Sequence, residues 1–105
     1  MTGLATVYAT FADTAEAERI ALILVEERLA ACANILGPCR SIYRWQGAIE
    51  RADEVAALFK TRAELAPALI ERLTALHSYD VPAAVIWPIA QAGDRYRDWV
   101  LQNSG

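Results

Sequence analysis

The spacing of apolar positions divides the chain into seven segments. Leu4-Ala-Thr-Val-Tyr-Ala-Thr-Phe11 is rich in β-branched and aromatic residues and stops at Ala12-Asp13-Thr14, the pattern of a buried strand running into a helix cap. Asp13 and Glu16 have capping-box spacing. Ala17, Ala21, Leu24, Val25 and Leu29 then recur at helical spacing, predicting a helix of about four turns. That helix is expected to end near Ala31 to Asn34, ahead of the Gly37-Pro38 break. A second strand is predicted to begin around Cys32 to Leu36, to be interrupted at Gly37-Pro38 and to resume through Trp45. Ile42 then lies on one face and Tyr43 and Trp45 on the other. Gln46-Gly47 supplies a turn into a third strand over Ile49 to Thr61, so the two strands make a long hairpin.

Leu65, Leu69, Leu73 and Leu76 form the apolar seam of a second helix, with Pro67 near its first turn, where proline is tolerated. Tyr79-Asp80-Val81-Pro82 breaks it. Ala83 to Ile89 predicts a fourth strand whose Pro88 marks an edge or a bulge. After Gly93, Asp94 is placed to cap a short terminal helix with Tyr96, Trp99 and Val100 facing inward. The order is that of an α+β ferredoxin-like sandwich, β-α-β-β-α-β with a short C-terminal helix, expected as a single domain over residues 1–105. Two helices cover one face of such a sheet. The other face would present Tyr43 or Trp45 to water, which favours self-association through it.

Composition narrows the function classes. Ten cationic against 13 acidic side chains give a net charge of −3, which argues against sequence-independent binding to nucleic acid or to an anionic membrane. A hydrophobic content of 55% over 105 residues excludes disorder, although 21 of those residues are alanine. Cys32 and Cys39 make neither a disulfide framework nor a Cys-x-x-Cys pair, and no basic n-region precedes the first strand. A cytoplasmic protein without a membrane span is therefore expected. The isolated glycines write no P-loop or dinucleotide fingerprint, and Gly-x-Ser-x-Gly and His-Glu-x-x-His are absent. Val55 to Phe59 holds one aromatic residue, too few for an RNA-recognition strand.

His77, the sole histidine, falls at the end of the second helix, where an imidazole either satisfies last-turn carbonyls or serves as a ligand. Cys32, at the junction of first helix and second strand, reads first as a small buried hydrophobe. Glu54 and Lys60 lie six apart on one strand and so share a face, as an ion pair, a solvated surface or a working pair. Tyr43 and Trp45 read first as packing groups.

Four strings carry a resemblance: Arg28-Leu-Ala-Ala-Cys32-Ala-Asn34, Ser41-Ile-Tyr-Arg-Trp45-Gln-Gly47, Glu54 through Lys60-Thr61, and Leu76-His-Ser-Tyr-Asp-Val-Pro82. In this order they resemble the CutA divalent-cation-tolerance family, from about Val7 to Val100. The resemblance implies a homotrimer, similar in architecture to PII-type signalling trimers, with a cleft where subunits meet. It implies a role in copper or other divalent-cation tolerance without an established reaction, so no enzyme is expected, and the charge and apolar runs above add no nucleic-acid or membrane partner. Cys32, Asn34, Trp45, Glu54, Lys60 and Tyr79 are the residues it would bring to a ligand-binding cleft. His77 with Glu54 is the expected site for a weakly held Cu(II) or other divalent cation. Some relatives carry a cysteine and a doubled histidine where this chain has Ala9 and Leu76, which weakens a thiolate copper site. Two other readings stand beside the binding protein: an enzyme with an intersubunit pocket built from Cys32, His77, Glu54 and Lys60, and an assembly module without a ligand.

Overall fold

The computed structural model describes residues 2–105. Strand β1 (Leu4–Phe11) leads into helix α1 (Thr14–Glu26), followed by β2 (Cys32–Trp45) and β3 (Ala48–Arg62). A single 3-10 turn (Ala63–Leu65) then enters α2 (Ala66–Leu76), and β4 (Ala84–Ile89) and α3 (Asp94–Asn103) complete the order. The four strands form one antiparallel sheet, β2-β3-β1-β4, which is the expected α+β arrangement.

Side chains alternate across a strand, so the register divides the sheet into two faces. On one, Val7 and Phe11 of β1 lie beside Phe59 and Val55 of β3 and pack against Ile20 and Leu24 of α1 and Leu69 and Leu73 of α2. The rings of Phe11 and Phe59 meet edge to face at 6.3 Å. On the other face Tyr8 stacks on Trp87 at 5.1 Å. Helix α3 covers one end of that face through Val100, which joins Leu4 and Ala31 in a second, smaller core.

The capping box forms as expected: Asp13 Oδ1 accepts the Glu16 N–H at 2.8 Å, and Glu16 Oε1 accepts the Ala12 N–H at 3.1 Å. Helix α1 stops at Glu26, short of the expected Ala31 to Asn34. Arg28 turns the chain with a left-handed φ of 62°, and its guanidinium donates to the carbonyls of Gln102 and Gly105. By Ala31 the backbone already donates to the Lys60 carbonyl, so the sheet has captured it. The expected interruption of β2 at Gly37-Pro38 is absent too. The strand runs through, and a bulge between Ile35 and Gly37 absorbs the irregularity, with Gly37 at φ 99°. Pro38 is tolerated there because β2 is an edge strand.

Two expectations about α3 are also corrected. Gly93 rather than Asp94 occupies the N-cap, without a side-chain capping bond. Tyr96 and Trp99 do not face inward. Their rings stay largely exposed and stack on each other at 5.8 Å, although the Tyr96 hydroxyl reaches back to Cys32, and of the three only Val100 is fully covered.

The hairpin closes through Gln46 and Gly47, both with positive φ, the requirement of a two-residue primed turn. Pairing of β1 with β3 ends at Phe11 and Val55, whereas β2 and β3 stay paired as far as Trp45 and Ala48. Seven register pairs therefore project beyond the sheet as a two-stranded ribbon, and the molecule measures 45 × 25 × 22 Å.

Candidate functional site

Within one chain, the residues expected in an intersubunit cleft lie in two separate places. Cys32, Asn34 and Lys60 gather where β2 begins. Lys60 Nζ donates to Asn34 Oδ1 at 2.5 Å, and Cys32 Sγ lies 3.3 Å from the Tyr96 hydroxyl. Desolvation of that hydroxyl and the thiol beside it push the Tyr96 phenol up to about 12. Trp45, Glu54 and Tyr79 gather near the far end. Glu54 and Lys60 share a face of β3, but six residues of strand set them about 20 Å apart within one chain.

The second group surrounds a cavity of about 520 Å³. Thr10 of β1 and Glu54 of β3 form its buried base. Ser41, Tyr43 and Trp45 of β2 make one side, and the segment between α2 and β4, with Tyr79, Asp80 and Val81, makes the other. Ser41 and Asp80 were not singled out by sequence reasoning, although for Ser41 a signal existed. A two-residue turn at Gln46-Gly47 pairs Trp45 with Ala48, and counting back pairs Cys39 with Glu54, which puts Ser41, Tyr43 and Trp45 on the face of Glu54. The α2–β4 segment has no periodicity from which its direction is read.

His77 occupies the joint between α2 and this segment. Its Nδ1 accepts the Tyr79 N–H at 3.1 Å, so Nε2 carries the proton and donates to the Thr10 carbonyl at 2.8 Å. The ring also stacks on Phe11 at 5.0 Å. It therefore satisfies a carbonyl of β1, not the last carbonyls of its own helix. Neither ring nitrogen retains a lone pair open to a cation, and a metal ion at His77 would first have to displace the Tyr79 N–H. Tyr79 donates its hydroxyl to Glu54 Oε2 at 2.9 Å. Burial and this bond to a carboxylate push the Tyr79 phenol well above its usual range, so it stays protonated. Glu16 holds the same segment from the other side, its Oε2 accepting the Ser78 N–H at 2.8 Å. Burial pushes its carboxyl up, but hydrogen bonding from the Ser78 side chain and from the N–H groups of Ala12 and Ser78, with His77 nearby, outweighs that and leaves it below the usual value. Among the described residues no three of His, Cys, Asp and Glu stand together as an ion site.

Both the sequence and the fold match one family. Residues 5–103 match the family of the CutA1 divalent ion tolerance protein. The chain belongs to this family. A CutA divalent-cation tolerance protein of Thermus thermophilus is 49% identical over 85% of this chain and 86% of its own length. The solved Thermus thermophilus Cut A1 structure superposes with a TM-score of 0.93 at 45% identity, covering 97% of this chain and 99% of that one. A CutA structure from Archaeoglobus fulgidus, described as periplasmic, gives 0.89 at 39% identity over 92% of this chain and 94% of its own. These CutA relatives are named for cation tolerance and not for a reaction. No helix among the described residues is long and apolar enough to cross a membrane.

Proposed function

We propose that this CutA protein assembles as a homotrimer of PII-like architecture and acts in divalent-cation tolerance or response. It does so by binding a small ligand, or weakly a cation such as Cu(II), near the subunit junctions. The observation that carries the assembly is the apolar surface left uncovered on the ribbon and the open face: Ile42, Tyr43, Trp45 and Ile49 at the ribbon, Val85 and Trp87 at the edge strand, with Ile42 65% and Trp87 49% exposed. Exposed apolar side chains in such number, on both faces of the ribbon and on the open face of the sheet, mark surfaces for association, and their burial would contribute about 25 cal/mol per Å². The family supports the tolerance role. The cytoplasmic placement rests on the two cysteines remaining free thiols.

Sedimentation equilibrium at micromolar concentration is expected to give three times the chain mass; a monomer overturns the assembly. Copper titrated calorimetrically into wild type and His77→Ala, both checked for oligomeric state, tests the cation. Weak binding in wild type that is lost in the variant supports His77 as a ligand, whereas equal affinity leaves the imidazole only its bonds to Thr10 and Tyr79.

A further inference from the structure

We infer that the cavity between the ribbon and the α2–β4 segment is a binding site for a small organic cation, an ammonium group carried on a flat apolar body. The inference rests on the proposed ligand-binding role and gives that ligand a chemical class.

Four features of the cavity point the same way. Its volume, about 520 Å³, is that of a small-molecule site and far larger than a bare ion needs. Three aromatic side chains, Tyr43, Trp45 and Tyr79, line it, and the electron-rich faces of such rings attract a desolvated cation. Its charged lining is of one sign, with Glu54 and Asp80 present and no Lys, Arg or His among the lining residues. Finally, Glu54 is only 8% exposed, yet no Lys or Arg among the described residues forms an ion pair with it. Glu54 has one hydroxyl partner on Oε2 and its other oxygen open to the cavity, so a cation entering there would supply the counter-charge its own chain does not.

The same features disfavour a divalent metal as the occupant of this cavity. Hard divalent ions demand several oxygen ligands converging at short distances, while here the two carboxylates are accompanied by rings and by Val81. An ammonium asks for less: one carboxylate, aromatic faces around its alkyl or methyl groups, and an apolar wall for the body that bears it. Tyr79, held protonated, orients the carboxylate through Oε2 and leaves Oε1 to meet the ligand.

Benzylammonium against benzyl alcohol, two probes of nearly the same shape, isolates the charge. Calorimetric titration at pH 7 and low salt is expected to show one benzylammonium per chain, bound at least ten-fold tighter than the alcohol. Glu54→Gln is expected to abolish that preference. Asp80→Asn, at an exposed position where folding is not at stake, is expected to reduce it several-fold. Equal binding of the two probes, absence of benzylammonium binding, or a preference unchanged in Asp80→Asn and in folded Glu54→Gln would overturn the inference. Sedimentation of the same samples separates the two ideas. A trimer that ignores benzylammonium removes this inference alone, and a monomer that binds it removes only the assembly.

Discussion

At Glu16 one carboxylate accepts the N–H of Ala12 through Oε1 and the N–H of Ser78 through Oε2, tying the start of α1 to the segment that shapes the cavity. Because its folded-state value lies below the usual one, its contribution is fully present above the unfolded value of about 4.3 and is lost as pH falls through the lower, folded value. Glu16→Gln is therefore expected to melt several degrees below wild type at pH 6, with the gap closing towards pH 3. A gap that stays constant with pH would show that ionisation is not what matters. Half of this was legible in the sequence, since Asp13 and Glu16 have capping-box spacing. The bond to Ser78 was not, because it spans 62 residues. His77 was ambiguous for the same reason: nothing local says that its Nε2 meets the Thr10 carbonyl 67 residues away.

At the scale of elements, the hairpin was the best specified. Alternation at Ser41 to Trp45 and the Gln46-Gly47 dipeptide fix both its faces and its register, and Glu54 followed onto the face of Tyr43 and Trp45. The bulge at Ile35 to Gly37 and the early exit of α1 were not legible. A Gly-Pro pair reads as a break whether or not the ladder continues past it, and Arg28 in a left-handed turn carries no glycine signal. Gly47 has φ 83° with open space around it, so backbone strain alone governs substitution there. Gly47→Val is expected to cost about 1–2 kcal/mol in urea unfolding, and Gly47→Asn clearly less, since asparagine accepts left-handed backbone. Equal costs would show that side-chain bulk, and not φ, decides.

Over the whole molecule, the sequence pattern anticipated a face that two helices leave open, yet not how α3 divides it. Helix α3 covers the end near Leu4 and leaves the far end, with Trp45 and the cavity, uncovered. In the proposed trimer Trp45 packs across the boundary, and an aromatic truncated from a packed interface commonly costs about 2 kcal/mol or more. Trp45→Ala is expected to shift the association midpoint to at least ten-fold higher concentration while leaving the far-ultraviolet circular dichroism of the assembled form intact. Unchanged association would remove Trp45 from the interface. The ribbon of seven register pairs has a wider consequence. Two strands without a third beside them are marginally stable in water, so the arm borrows its rigidity from whatever docks on it. In the proposed trimer its order becomes a readout of chain concentration: a dilute, newly made copy carries a pliable, protease-sensitive arm, and the same arm stiffens into a girder once enough copies surround it.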